Sequence, residues 1–222
     1  MVKVFPLYAK KRSSAYRVLK EGEELFLKVF HGEESLLKGG VNLLVNSRPR
    51  REFLFSNYLA DRGIRTIRAV RYGEKRLFSL FPVNVGYVVY PFVSSLVPLS
   101  SFVKERDFHS LLERAVSISA RLHSFGVYHG DLSLSNFVLK DRELLLIDFE
   151  NMRFLRPHFL ASFEFPDFIN DVFKWAHRLK LEFEPYHLLS LYLDKISLPS
   201  FVVKGMELKL RRLLEKSSTN SA

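Results

Sequence analysis

One stretch of this 222-residue sequence constrains the fold more than any other, namely His129-Gly-Asp-Leu-Ser-Leu-Ser-Asn136, which Asp148-Phe-Glu150 follows twelve residues later. It supplies three oxygen-bearing side chains, those of Asp131, Asn136 and Asp148. Mg²⁺ prefers hard oxygen ligands and usually takes one or two carboxylates together with phosphate oxygens. Asp148 follows the apolar run 144–147, so we expect a strand to hold its carboxylate rigidly at the edge of a cleft. Asp131 would orient a hydroxyl group and accept its proton during phosphoryl transfer.

A structural interpretation of the same residues stays open, because Asp and Asn are common turn formers and Asp148 could simply end a strand. Three features together favour the phosphotransfer signature: the spacing of Asp131 and Asn136, the predicted helix that ends before Gly126, and the second Asp after an apolar strand. We expect His129 to be structural, with a hydrogen bond to the backbone near Asp148.

Two charged residues of the amino-terminal part are candidates for binding nucleotide phosphates. Lys28 lies among apolar residues of a predicted strand, where an uncompensated ammonium would be costly, and Glu52 on the next predicted helix is its first candidate partner. Alternatively, Lys28 faces water from an edge strand, and Glu52 pairs with Arg48 or Arg51 of its own helix. Asp171, in a later predicted helix, either accepts hydrogen bonds from the loop 128–131 or faces solvent.

The apolar pattern divides the chain into a strand-rich part, residues 1–92, a helical part, residues 93–216, and a disordered tail, residues 217–222. Ser47 is predicted to cap a helix that runs to about Asp61 and ends at Gly63. The other predicted elements are strands at 16–19, 25–30, 77–81, 87–90, 137–139 and 144–147, and helices at about 108–122, 168–179, 186–195 and 204–215. The uncharged stretch 77–103 is interrupted by prolines and predicts a hairpin rather than a spanning helix.

Charge limits the classes of partner without choosing among them. The chain has 34 Lys and Arg against 24 Asp and Glu, a net charge of +10, and 47% of its residues are apolar, which excludes intrinsic disorder. The absence of Cys excludes disulfides and thiolate zinc sites. A basic surface suits nucleic acid, anionic lipid or phosphorylated substrates. The basic clusters lie at 10–12, 48–51, 62–71 and 209–212.

At these motifs the chain resembles the protein-kinase-like superfamily and, within it, the lipopolysaccharide core kinases that phosphorylate Kdo or heptose. The resemblance spans roughly residues 15–180 and includes the segments 26–29, 38–40, 48–53, 59–63 and 69–73. It implies an α+β, two-lobed fold with a small antiparallel-sheet lobe that carries one helix and a larger helical lobe. It also implies that the chain uses ATP and Mg²⁺.

The resemblance also implies a role for each matched residue. Asp131 would be the catalytic base, and Asn136 and Asp148 the Mg²⁺ ligands. Lys28 and Glu52 would anchor the phosphates. The adenine would lie against the linker that contains Tyr90 and Phe92.

Some positions depart from the superfamily pattern. Gly130 stands where an arginine is usual, and Glu150 stands where the signature has glycine. No Ala-Pro-Glu segment follows, so we do not expect regulation by phosphorylation of an activation segment. No glycine-rich phosphate loop is present, and the backbone of Ser13 and Ser14 is the candidate substitute.

The leading hypothesis is therefore a cytoplasmic kinase that phosphorylates a sugar hydroxyl of the lipopolysaccharide inner core, in peripheral contact with the anionic inner membrane. A second hypothesis is a small atypical Ser/Thr kinase or ATPase that resembles the RIO or KEOPS-complex kinases. A third is a non-catalytic kinase-fold module that binds anionic lipid or RNA. The leading hypothesis predicts no nucleic-acid partner, and the sequence predicts no oligomeric state.

Overall fold

The computed structural model describes residues 2–10, 13–31, 47–76 and 84–219. The chain forms two compact units. The first comprises Met1–Ser95 and the short segment Asp148–Asn151, and the second comprises Leu96–Ile147 and Met152–Ala222. The segment that contains Asp148 and Glu150 thus belongs to the unit of the amino-terminal strands.

The first unit contains a five-stranded antiparallel sheet with the order β1-β2-β3-β5-β4. Its strands are β1 (Val2–Ala9), β2 (Ser13–Lys20), β3 (Glu23–Phe30), β4 (Arg71–Arg76) and β5 (Asn84–Pro91). The turn between β2 and β3 consists of Glu21 and Gly22, which have φ angles of +54° and +87°. Two consecutive residues of positive φ are typical of the tight turn that matches the twist of a hairpin. The strands predicted at 16–19 and 25–30 are therefore confirmed, as the two strands of this hairpin.

Helix α1 (Arg48–Asp61) packs on one face of this sheet. The Ser47 hydroxyl accepts a hydrogen bond from the Arg50 N–H at 3.4 Å, and Gly63 follows the helix with a φ of +71°. The predicted start and end of this helix are thus confirmed. The apolar core under the helix contains Phe30, Ala69, Val88 and Tyr90, against which Phe53 of α1 packs.

Helices dominate the second unit. They are α2 (Phe108–Ser124), α3 (Phe165–Arg178), α4 (Pro185–Leu193) and α5 (Ser200–Thr219). Two small sheets accompany them, one with the order β6-β8-β9 and one made of β7 and β10. Their strands are β6 (Val97–Pro98), β7 (Val127–Tyr128), β8 (Phe137–Lys140), β9 (Glu143–Leu146) and β10 (Arg153–Phe154). The α+β class predicted from the sequence is confirmed.

One prediction for the carboxyl end of the second unit needs correction. Helix α5 continues through Thr219, so residues 217–219 are helical rather than a disordered tail. The Ser217 hydroxyl donates a hydrogen bond to Asn170 Oδ1 of α3 at 2.8 Å, and this long-range contact was not visible in the local sequence pattern. Residues 220–222 lie outside the described residues.

Two other predictions also fall outside the described residues, namely the glycine-containing segment 38–40 and the strand at 77–81. Among the helices that the structure describes, none is both long enough and apolar enough to span a bilayer.

Candidate active site

Lys28 lies in the middle of the sheet of the first unit. Strand β3 is paired on both sides, so that Lys28 stands opposite Ala15 of β2 and Val88 of β5. Its residue surface is only 6% exposed. The alternative prediction, a water-facing lysine on an edge strand, is therefore wrong.

Three carboxylates surround the Lys28 ammonium. Its Nζ lies 2.7 Å from Asp148 Oδ1, 3.1 Å from Glu150 Oε2 and 3.5 Å from Glu52 Oε1. Burial by itself lowers the pKa of Lys28, but the charges of the carboxylates together outweigh burial and raise this pKa above its ordinary value. Oxygens of the three carboxylates also lie within 4.8 Å of one another, a spacing that suits a metal ion. In this structure the lysine ammonium neutralises part of their charge.

Glu52 uses both carboxylate oxygens. The Tyr90 hydroxyl donates to Oε1 at 2.8 Å, and the main-chain N–H of Phe149 donates to Oε2 at 2.7 Å. Burial raises the pKa of Glu52 to about 6, although Lys28 opposes this change. The predicted pairing of Lys28 with Glu52 is present. The alternative in which Glu52 pairs with Arg48 or Arg51 is wrong for the described contacts, because these arginines contact Glu150 instead.

Asp148 has a backbone conformation that few residues adopt. Its φ is +66°, in the left-handed region that Asp and Asn tolerate better than most other residues. Non-glycine residues in this region cluster at functional sites, where the surrounding structure compensates for the strain. Its side chain is 37% exposed, so the carboxylate is accessible for a ligand as well as paired with Lys28.

A cavity of about 350 Å³ opens beside Lys28 within the first unit. Its lining combines cations, carboxylates and two hydroxyl groups, from Tyr8, Lys10, Ser13, Lys28, Arg48, Asp148 and Glu150. Ser13 and Ser14, the candidate phosphate-covering residues, are buried in β2, and the Ser14 hydroxyl is hydrogen-bonded to His31 Nε2 at 2.8 Å.

The predicted adenine linker lies at the end of β5, the strand that pairs with the Lys28 strand β3. The side chain of Tyr90 is buried and points to Glu52, so only its main chain is available to a nucleotide. The main-chain N–H of Phe92 donates to Glu24 at 2.9 Å, and the guanidinium of Arg17 lies 4.8 Å from the centre of the Phe92 ring. The link between Tyr90 and Glu52 was not predicted from the sequence.

In the second unit, Asp131 and Asn136 lie together in the loop between β7 and β8. The Asn136 amide nitrogen donates to the Asp131 carbonyl at 2.7 Å and to its carboxylate at 3.3 Å. Since the amide nitrogen is used in this way, the amide oxygen is the atom that Asn136 can offer to a metal. The main-chain oxygen of Asn136 accepts from the Ile147 N–H at 2.9 Å, which links the loop to the end of β9.

The same loop is held by a carboxylate that sequence analysis missed. The two oxygens of Glu164 accept hydrogen bonds from the main-chain N–H groups of His129, at 2.6 Å, and Gly130, at 2.9 Å. Glu164 stands in the apolar stretch 161–165, and a lone carboxylate in such a stretch must be paired if buried. That signal could have identified it.

Two further predictions for this loop meet different outcomes. His129 Nε2 lies 3.3 Å from the Ile147 carbonyl, as expected of a structural histidine. The prediction that Asp171 accepts hydrogen bonds from the loop 128–131 is wrong for the contacts that the structure describes, because Glu164 takes two of those N–H groups. Asp171 accepts instead from the Leu134 N–H at 3.0 Å.

Comparison with solved structures establishes the class of fold. WaaP, solved in complex with acyl carrier protein, is similar with a TM-score of 0.60 and 17% identity over 96% of this chain and 89% of that chain. The amicoumacin kinase hAmiN, solved with AMP-PNP, Ca²⁺ and Ami, is similar with a TM-score of 0.60 and 14% identity over 95% and 80%. The ROP18 kinase domain, solved with AMP-PNP and sucrose, has a TM-score of 0.52 and 17% identity over 95% and 74%. The chain therefore has a protein-kinase-like fold.

Sequence comparison adds one curated relative. The KEOPS complex subunit Bud32 of Pyrococcus abyssi (strain GE5 / Orsay) is 25% identical over 146 residues, which cover 60% of this chain and 66% of the relative, slightly under two thirds. No family model matches the sequence.

Proposed function

We propose that the protein is a phosphotransferase that uses ATP and Mg²⁺. The observation that carries this proposal is the contact of the buried Lys28 ammonium with the buried Glu52 and the accessible Asp148, which has a left-handed conformation. A lysine–glutamate pair that anchors phosphates and an aspartate that holds metal are the parts by which kinases position ATP.

Each matched residue has a role in this proposal. Lys28 binds phosphate oxygens while Glu52 orients its ammonium, and the main chain of the linker at Tyr90 and Phe92 lies against the adenine. Asp131 accepts the proton of the acceptor hydroxyl as that oxygen bonds to the γ-phosphorus and the bond to the ADP oxygen breaks.

The donor atoms of Asn136 and Asp148 suit magnesium. An amide oxygen and a carboxylate are hard ligands, and Mg²⁺ usually takes one or two protein carboxylates in addition to phosphate oxygens. When bound, the ion neutralises charge on the phosphates. Asp148 would then share its carboxylate between the ion and Lys28, and Glu52 and Glu150 keep the ammonium paired.

For the acceptor we propose a sugar hydroxyl, of Kdo or heptose, in the inner core of lipopolysaccharide. Support comes from the resemblance of segments such as Arg48–Phe53 and Leu59–Gly63 to the Kdo and heptose kinases, and from the structural similarity to WaaP. The net charge of +10 suits an anionic glycolipid at the cytoplasmic face of the inner membrane.

The similarity to Bud32 supports a second candidate, a small Ser/Thr protein kinase or ATPase. The two candidates share the nucleotide chemistry and differ in the acceptor. Transfer of labelled phosphate to protein serine or threonine, with none to glycolipid, would favour the second.

The experiment incubates the protein with labelled ATP, Mg²⁺ and a panel of core-truncated glycolipids that includes Kdo–lipid A. We expect Asp148→Asn to abolish transfer and to keep the fold, since Asn also tolerates a positive φ. Asp141→Asn is the matched control, because Asp141 is an exposed turn residue with a φ of +49°. Undiminished turnover of the Asp148→Asn protein would overturn the proposal. Absence of thermal stabilisation by ATP with Mg²⁺ would favour a non-catalytic module instead.

A further inference from the structure

Glu150 occupies the position at which the superfamily signature has a glycine, and its side chain is only 13% exposed. One of its oxygens, Oε1, is paired with the Arg48 guanidinium, and the other, Oε2, lies 3.1 Å from Lys28 Nζ. Its main-chain oxygen accepts a hydrogen bond from Arg51 Nε at 2.7 Å. A glycine could provide only the last of these contacts.

The partners of the segment 148–150 in helix α1 lie on one face of that helix. Arg48, Arg51 and Glu52 are spaced by three and four residues, which brings them to the same side of its first two turns. Arg48 and Arg51 contact Glu150, and Glu52 accepts the N–H of Phe149 at 2.7 Å. The start of α1 is therefore attached to this segment at three points, and all of these residues belong to the first unit.

The pair of Arg48 and Glu150 is largely buried, although both residues line the cavity beside Lys28. Arg48 is 9% exposed, and its guanidinium lies 5.2 Å from the centre of the Phe30 ring. Ion pairs in contact with water contribute little, whereas removal of one partner of a buried pair leaves an uncompensated charge. The position of α1 should therefore depend on the charge of Glu150.

We propose that Glu150 is a positioning residue that fastens helix α1 through Arg48 and Arg51 and thereby keeps Glu52 beside Lys28. This inference rests on the proposed function for its consequence in catalysis, because the Lys28–Glu52 pair anchors the phosphates there. The contacts that hold α1 lie within the first unit and are present without a nucleotide.

Hydrogen exchange of the α1 amides in the nucleotide-free protein tests the fastening directly. We expect Glu150→Gln to speed exchange in α1 at least about tenfold, because the change removes a charged hydrogen bond. A tenfold change corresponds to about 1.4 kcal/mol. Glu23→Gln is the matched control, since Glu23 is an exposed residue of β3. Exchange in α1 equal to that of the control would overturn the inference, whether or not the protein is active.

A double-variant cycle separates a specific pair from general loosening. In Arg48→Met combined with Glu150→Gln, α1 should exchange no faster than in the faster of the two single variants, because both changes remove the ion pair between these residues. Multiplicative acceleration would contradict the pairing. If Glu150→Gln does not fold, Glu150→Asp keeps the charge and shortens the side chain, and unchanged exchange in α1 would contradict the inference.

Kinetics then connect the fastening to the proposed function. With labelled ATP, Glu150→Gln should raise the KM for ATP and lower kcat at least severalfold, while Glu23→Gln changes neither. If α1 exchanges faster in the Glu150→Gln variant but the wild-type protein transfers no phosphate, the inference about α1 stands and the proposed function is refuted. An active wild type whose Glu150→Gln variant retains both constants would refute the positioning role alone.

Discussion

The carboxylate of Glu164 lies 2.9 Å from Nε2 of His123, and both side chains are almost completely buried. The other ring nitrogen of His123 is hydrogen-bonded to the Tyr192 hydroxyl at 2.7 Å. Glu164 therefore connects helices α2 and α4 to the main chain of His129 and Gly130, directly before Asp131. The loop with the proposed base is thus attached to the core of the second unit through one carboxylate.

Glu164→Gln should destabilise the protein by about 2–4 kcal/mol, because an amide cannot accept hydrogen bonds at both of its ends and the buried pairing with His123 is lost. Urea denaturation at pH 7 measures the change. Glu182→Gln, at an exposed loop position, is the matched control and should stay within about 0.5 kcal/mol of the wild type. A Glu164→Gln protein as stable as this control would show that the carboxylate does not hold the loop.

The raised pKa of Glu52 should make the free energy of unfolding decrease as the pH rises. Its pKa in the folded protein, about 6, is higher than the ordinary value of 4.5, so the folded chain binds this proton more tightly than the unfolded chain does. The resulting contribution is complete below pH 4.5 and is lost as the pH rises through about 6.

The free-energy difference between wild type and Glu52→Gln should therefore shift by about 1.5 kcal/mol against the wild type between pH 4.5 and pH 6.5, since a tenfold change in acid constant corresponds to about 1.4 kcal/mol and part of the effect lies outside this range. Urea denaturation of both proteins across this range checks the prediction. Parallel pH profiles would contradict it.

The Tyr90 hydroxyl supports Glu52 from the sheet. Tyr90→Phe removes a buried hydrogen bond to a carboxylate and should cost about 1.5–3 kcal/mol of stability. Tyr87→Phe is the matched control, because Tyr87 stands three residues earlier on β5 and projects from the opposite face of the sheet. Urea denaturation measures the free energy of unfolding of both variants. Equal losses of stability would show that the Tyr90 hydroxyl does not support Glu52.

Asp131→Asn should lower kcat by about 10²–10⁴-fold, since it removes the proposed proton acceptor, and should leave thermal stabilisation by ATP with Mg²⁺ unchanged. The comparison of labelled-phosphate transfer with thermal shifts separates chemistry from binding. Asp141→Asn again serves as the control. Full activity of Asp131→Asn would remove Asp131 from the catalytic role.

Local signals in the sequence determined much of the fold. The Ser47 cap, the left-handed Gly63 and the turn at Glu21-Gly22 each depend on residues within a few positions, so their elements were predictable. The spacing of Asp131 and Asn136 likewise predicted the loop in which the structure finds them bonded.

Only tertiary structure decided which charges meet. The sequence predicted Glu52 as a partner of Lys28, but chain order alone could not show that Asp148 contacts the same lysine. Nor could it show that Arg48 pairs with Glu150 instead of Glu52. The same holds for Glu164, because its partner His123 lies on helix α2 while His129 and Gly130 lie in the loop after β7. Burial makes an unpaired charge costly, so packing selects partners that no local pattern encodes.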